Sequence, residues 1–246
     1  MTRHTATSDA STPAVTPDAV VRLVAARCLT YPDERLYEEL PLLRGALAGV
    51  RGGEGLLEFL DHVERTEPLD LAAHYTDTFD TRNRRCLYLT WWTDGDTRRR
   101  GFSLVDIKRT YREHGLEFES EELPDFLPVA LEFAGQCPGP GTELLQGHRA
   151  GLELLRLALD AAGTPYTRVV EAVCATLPGP SPATKEEAKA LARSGPPREL
   201  VGLEPFGLGG TDLPWPTAPA PHPAPRPAPA PAPAPTPGNR VERTPV

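Results

Sequence analysis

The residues able to do chemistry gather between positions 79 and 133, FDTRNRRCLYLTWWTDGDTRRRGFSLVDIKRTYREHGLEFESEELPDFLPVALEF. Arg98, Arg99 and Arg100 offer forked donors for phosphate or carboxylate. Consecutive helical positions lie about 100° apart, so the three cannot line one pocket, and at least one is a solvated charge. Asp94 and Asp96 lack the further oxygen ligands that a calcium loop needs, whereas Asp96 or Thr97 can cap the helix that follows. Glu117, Glu119, Glu121, Glu122 and Asp125 precede an apolar helix from Leu127 to Phe133. Such acids complement a positive helix end, with Pro124 or Pro128 in the first turn. Alternatively, Glu121, Glu122 and Asp125 form an acidic rim for a basic peptide.

Catalytic constellations are missing. There is no phosphate loop, no dinucleotide fingerprint, no H-E-x-x-H and no nucleophile elbow. His62, His74, His114 and His148 stand isolated, and Cys28, Cys86, Cys137 and Cys174 are tens of residues apart with no C-x-x-C. That spacing excludes a zinc finger and argues against a disulfide framework. A binding protein rather than an enzyme is expected, with no metal.

Leu87 to Trp92 is apolar or aromatic on every side. As a helix it must be buried all round or offer a face to a partner; as a strand followed by Asp94-Gly95 it would be a hairpin. The helical surroundings favour a helix, since an isolated hairpin has no sheet to join.

The elements that position these residues follow from local signals. Thr16-Pro17-Asp18 opens a helix with Val20, Leu23, Val24 and Cys28 on its apolar face. Tyr31-Pro32-Asp33-Glu34 opens a second with Leu36, Tyr37, Leu40, Leu43 and Leu47, with Pro41 as a kink. Gly52-Gly53 precedes a third carrying Leu56, Leu57, Phe59, Leu60 and Val63, and Pro68 a fourth with Leu71, Ala72, Tyr75 and Phe79. Downstream, Thr142 is expected to cap one helix through Leu144, Leu145, His148, Leu152, Leu155 and Leu159 to Gly163, and Thr164-Pro165 to restart the chain. Thr184-x-x-Glu187 has capping-box spacing for a surface helix. The fold class is all-α, a single-domain helical bundle over residues 16–210.

The flanks differ. Residues 1–15 are Thr/Ser/Ala-rich and read as a disordered leader, with no secretory signal. Of the 29 prolines among 246 residues, 13 fall after residue 213, in an Ala-Pro alternation that favours extended polyproline. Residues 211–246 therefore read as a disordered Pro/Ala-rich tail. The first 213 residues hold 23 basic and 33 acidic residues, a net −10. This acidity argues against nucleic acid and an anionic membrane surface, and no apolar stretch is long enough to span a bilayer. A cytoplasmic protein is expected.

The segments Tyr75 to Asp80 (YTDTFD), Arg84 to Trp92 (RRCLYLTWW), Thr93 to Gly101 (TDGDTRRRG), Glu122 to Phe133 (ELPDFLPVALEF) and Val201 to Gly207 (VGLEPFG) carry a resemblance. In order and spacing, over most of residues 17 to 210, the chain resembles the NarJ-type assembly chaperones of respiratory nitrate reductase, within the redox-enzyme maturation chaperones. The resemblance implies an all-helical domain that binds the N-terminal segment of the apo catalytic (alpha) subunit and delays its membrane attachment. It would keep that subunit competent to receive bis-molybdopterin guanine dinucleotide, with no cofactor stably bound to the chaperone.

The resemblance to that wider group implies that a Pro-Asp-His triplet marks the neighbourhood of the peptide site. Here Pro124, Asp125 and Phe126 stand at those positions, so a role for the imidazole does not carry over, while Asp125 remains a polar contact or a brace. The candidate client-peptide residues are Tyr88, Trp91, Trp92, Arg98, Glu121, Glu122 and Asp125. The aromatics suit a helix-in-groove mode, and equally suit core packing. A rival reading is a cofactor- or nucleotide-binding maturation protein gripping phosphates with Arg98 to Arg100; another is an unrelated adaptor.

Overall fold

The computed structural model describes residues 16–81, 83–118 and 122–194. The chain divides into two units, Met1–Glu199 and Leu200–Val246, the second lying wholly outside the described residues together with the expected tail and the Val201 to Gly207 segment. The expected leader, residues 1–15, also lies outside them.

Among the described residues the fold is all-α, with eleven α-helices and no strand. The first is α1, Pro17–Cys28. Thr16 caps it by accepting from the Ala19 N–H at 3.2 Å, and Pro17 stands in the first turn, where a missing N–H is harmless. Asp33 caps α2, Glu34–Leu47, by accepting from Leu36, and Pro41 is held inside the helix. Then come α3, Glu54–Arg65, and α4, Pro68–Tyr75, which continues into a π-helical turn, Thr76–Asp80. A short 3-10 turn, Asn83–Arg85, leads to α5, Leu89–Asp94, and α6, Arg98–Glu113. The remaining helices are α7, Leu127–Gln136; α8, Pro138–Gly147; α9, Arg149–Asp160; α10, Tyr166–Ala175; and α11, Lys185–Ser194.

Helix α1 is central, packing on α7 and α10 and touching α2 and α3. Its buried face is therefore wider than one stripe: Val21, Val24, Ala25, Ala26 and Cys28 are buried, while Leu23, expected inward, is exposed. Within that face Arg22 is 1 % exposed. Its Nε and one terminal nitrogen donate to the hydroxyl (3.0 Å) and carbonyl (3.1 Å) of Thr176, and the other reaches Thr142 Oγ1 at 2.8 Å and the Ala134 carbonyl at 3.4 Å. One guanidinium thus fastens α1 to α7, α8 and the end of α10, satisfying carbonyls that burial would otherwise leave unpaired.

Two expectations need correction. The helix expected to run from Thr142 is two helices, α8 and α9, parted at His148. Pro138 opens α8, and Thr142 lies inside it, its hydroxyl donating to the Pro138 carbonyl. The break lets α8 lie against α7 so closely that a Cβ on Gly141 would stand 2.2 Å from Ala134 Cα. Helix α9 carries a second buried polar group. Glu153 pairs with Arg149 and Arg156, and those arginines donate to the carbonyls of Pro178, Gly179 and Pro182, tying the incoming loop to α9. Helix α11 packs on α9 through buried Ala188, and its start has Glu187 N–H donating to Thr184 Oγ1 while the Glu187 carboxylate accepts from Ala183.

Helix α6 stands apart from the main core. Ile107 and Tyr111 form a small separate cluster with Phe133 of α7, and Phe102 and Val105 on the far face are 73 % and 65 % exposed.

Candidate functional site

The all-apolar stretch before α5 adopts both conformations its pattern allows. Leu89 donates to the Asp125 carbonyl at 2.9 Å and Leu127 to the Leu87 carbonyl at 2.7 Å, a single antiparallel bridge between Tyr88 and Phe126. From Leu89 onward the chain is helical, until Gly95 ends α5 at a φ of 60° that a side chain would resist.

Tyr88 occupies the capping position of α5 without a capping side chain. Asp125 supplies the cap from across the bridge: its Oδ2 accepts the Thr90 N–H at 3.1 Å and the Thr90 hydroxyl at 2.5 Å. Arg100 completes the group, donating from Nε to Thr90 Oγ1 at 3.1 Å with a terminal nitrogen 3.6 Å from Asp125 Oδ2. Its guanidinium lies 5.6 Å from the centre of the Tyr88 ring. Asp125 is 0 % exposed, so it braces the site from within and is not part of an exposed rim. His148 lies near enough to feel Asp125 and Asp94, although burial outweighs them and holds its pKa below the ordinary value.

The other sequence candidates are dispersed. Glu122 is exposed and accepts from the Tyr88 hydroxyl at 3.3 Å, while Glu121 lies outside the described residues. Trp92 is half-buried between α5 and α9, its indole N–H donating to the Cys86 carbonyl and its Cβ so near Gly151 that a Cβ there would approach to 2.6 Å. Trp91 is half-buried. Arg98 and Arg99 are exposed at the start of α6 while Arg100 turns inward, so the three arginines do not converge. Neither Asp96 nor Thr97 caps α6 by a side-chain hydrogen bond; Thr97 donates to the Asp94 carbonyl, and Asp94 accepts from Ser103 at 2.7 Å.

Beside Tyr88 opens a cleft of about 440 Å³, within the range of roughly 300–1,000 Å³ usual for binding clefts. Tyr31, Tyr75, Phe79, Tyr88 and Phe126 supply its aromatic wall, and Asp80 and Glu122 its charges. The π-helical turn after α4 carries Phe79 and Asp80 of this lining, and such turns are frequent at functional sites. Tyr75 and Phe79 pack with ring centres 5.0 Å apart, and Tyr31 meets Tyr75 edge-on at 5.5 Å. The Tyr75 hydroxyl is anchored on the Leu29 carbonyl at 3.0 Å. Burial, reinforced by neighbouring carboxylates, raises the pKa of the Tyr75 and Tyr88 phenols, so both remain protonated. Of these residues the sequence reading reached only Tyr88 and Glu122 as site members. The stretch Tyr75 to Asp80 was visible as a motif, but nothing in it signals contact with Tyr31 or Glu122.

Among the described residues no cluster of three or more His, Cys, Asp or Glu is placed to hold a metal. No helix among them is long and apolar enough to cross a membrane.

The helical fold is similar to that of a solved structure from Archaeoglobus fulgidus described as a putative redox enzyme maturation protein, with a TM-score of 0.50 and 20% identity, covering 64% of this chain and 91% of that one. The family model for the nitrate reductase delta subunit matches residues 47–171, and the chain belongs to that family. The sequence is 36% identical over 123 residues to a protein of Bacillus subtilis named as the probable nitrate reductase molybdenum cofactor assembly chaperone NarJ, covering 48% of this chain and 67% of that protein. It is 42% identical over 160 residues to the nitrate reductase-like protein NarX of Mycobacterium tuberculosis, covering 64% of this chain but only 24% of NarX. The chain thus spans about a quarter of the length of that relative. The resemblance noted from the motifs, to NarJ-type chaperones, is upheld by the family match and by the NarJ relative.

Proposed function

We propose that this chain is a dedicated chaperone for the catalytic subunit of a nitrate reductase. It binds the N-terminal segment of the apo subunit, assists insertion of the molybdenum cofactor, and releases the subunit for membrane attachment. The cofactor is cargo destined for the client, and the chaperone acts in the cytoplasm without chemistry of its own. Residues 16–210 serve as the binding domain and 211–246 as an appended tail.

The observation that carries this reading is the aromatic and acidic cleft beside Tyr88, on a chain belonging to the nitrate reductase delta subunit family. Rigid rings offer contact area at little entropic cost, and flanking carboxylates orient a basic segment. Isothermal titration with a peptide copying the client N-terminus tests it. Binding is expected, weakening as salt rises, and reduced more by Tyr88→Ala than thermal stability is. No binding of the peptide by the folded chain refutes the proposal.

A further inference from the structure

Helix α6 turns toward solvent a face that the described fold leaves unused. Arg98, Phe102, Val105, Arg109 and Arg112 recur at intervals of four and three, so they form one stripe about 80° wide and, at ~1.5 Å per residue, roughly 21 Å long. All five are exposed, whereas Arg100, Ile107 and Tyr111 face the bundle. Phe102 and Val105 are neighbours at the middle of the stripe, with arginines at both ends.

The charge of this helix opposes that of the chain. Its 16 residues hold Arg98, Arg99, Arg100, Lys108, Arg109 and Arg112 against Asp106 and Glu113, in a protein of net charge −8. Both of those acids are taken by Arg109. Among the described residues Arg98, Arg99 and Arg112 form no ion pair, while Arg100 and Arg109 do. None of the stripe residues lines the cleft beside Tyr88, whose lining carries acids instead.

Gly101, on the flank of the stripe beside Phe102, is a second and independent sign. Inside a helix glycine costs about 1 kcal/mol relative to alanine. Gly141 and Gly151 have a packing reason, since a Cβ at either would strike a neighbouring helix, but a Cβ at Gly101 would meet nothing within 4 Å. The fold does not require this glycine; a partner backbone lying close against the stripe would. Two apolar side chains are too few to hold a helix in a membrane interface, and the acidic body opposes anionic lipid and nucleic acid alike.

We infer that the outer face of α6 is a docking surface for an acidic amphipathic segment of a partner protein. Its apolar side chains cover Phe102 and Val105, and its carboxylates meet Arg98, Arg99 and Arg112.

The test is a selection of displayed random peptides on the full chain, with Gly101→Leu and Phe102→Ser as subtractions. Both changes fall at exposed positions, so thermal unfolding of the variants is expected to stay close to that of the parent. Peptides are expected that bind the parent and lose roughly tenfold or more on both variants, carrying several Asp or Glu around large apolar residues three or four apart. Their binding should fall roughly tenfold in the Arg98→Glu, Arg112→Glu double variant and weaken as salt rises. Vesicles of phosphatidylglycerol and phosphatidylethanolamine in equal parts are expected not to bind. The inference is overturned if no selected peptide distinguishes the parent from the two variants, or if those that do are not acidic. Vesicle binding lost in Phe102→Ser would assign the face to a membrane, and a dimer in sedimentation that Gly101→Leu dissolves would assign it to a second copy; either result removes the acidic partner.

Discussion

The carboxylate of Asp125 caps a helix to which it does not belong, taking the Thr90 N–H and hydroxyl on one oxygen while its own chain leads into α7. An anion at the N-terminus of α5 meets both the orphan donors and the positive end of the helix. Asp125→Ala is expected to destabilise the fold by about 2–4 kcal/mol, because Thr90 and Arg100 lose their buried acceptor. Asp125→Asn retains an oxygen and is expected to lose about half as much. Urea unfolding measures both, and an Ala variant as stable as the parent would remove Asp125 as a brace.

Arg22 offers a second test of buried polar architecture. Arg22→Met fills much of the volume but abandons the Thr176 and Ala134 carbonyls, a loss of about 2–4 kcal/mol. Lysine keeps the charge without the fork, so Arg22→Lys is expected to recover little of it. Thermal unfolding of the two variants side by side decides the matter.

The approach of α5 to α9 leaves no room at Gly151. An alanine normally strengthens a helix interior by about 1 kcal/mol over glycine. Here its Cβ would meet Trp92 Cβ, so Gly151→Ala is expected to destabilise by roughly 1–3 kcal/mol instead. Trimming the ring with Trp92→Ala leaves that Cβ in place and does not relieve the clash.

Acid sensitivity follows from His62, His74 and His148. Burial, the largest influence on each, holds their pKa values below the ordinary imidazole value. Below pH ~6.5 the unfolded chain takes up protons that the folded chain refuses, so stability present above that pH is lost as pH falls. The urea midpoint is expected to drop between pH 7.5 and 5.5, and less so in His148→Gln. Glu132, whose carboxyl is raised by burial, acts in the opposite sense, so the histidine variant rather than the slope alone assigns the effect.

The capping signals at Thr16, Asp33 and Thr184 were legible because each is satisfied within four residues of itself. Gly163, with a φ of 66°, and the Thr164-Pro165 restart were legible for the same reason. Thr142 misled because a hydroxyl serves a helix interior as readily as an end, and Pro138 was the true start. Arg22 gave no sign of burial, since its partners lie more than a hundred residues away. The cleft divides the same way. Tyr88 and Glu122 stood in a stretch already conspicuous for rings and acids, whereas Tyr31 and Phe79 reach it only through tertiary packing. Asp125 was legible as important but not as interior, because the bridge from Tyr88 to Phe126 brings it against Thr90, 35 residues away in the chain.

That bridge also closes the excursion that contains α6, and α6 holds to the rest through the apolar Ile107 and Tyr111, the Tyr111 hydroxyl on the Pro124 carbonyl, and the polar contacts of Arg100 with Thr90 and Asp125 and of Ser103 with Asp94. A helix with so small an apolar attachment is expected to open as its own cooperative unit. Its amide hydrogens should exchange with solvent roughly tenfold or more faster than those of α1 and α10, an opening energy lower by about 1.4 kcal/mol or more. The bundle would then carry a soft flap on a hard frame, hinged beside the cleft.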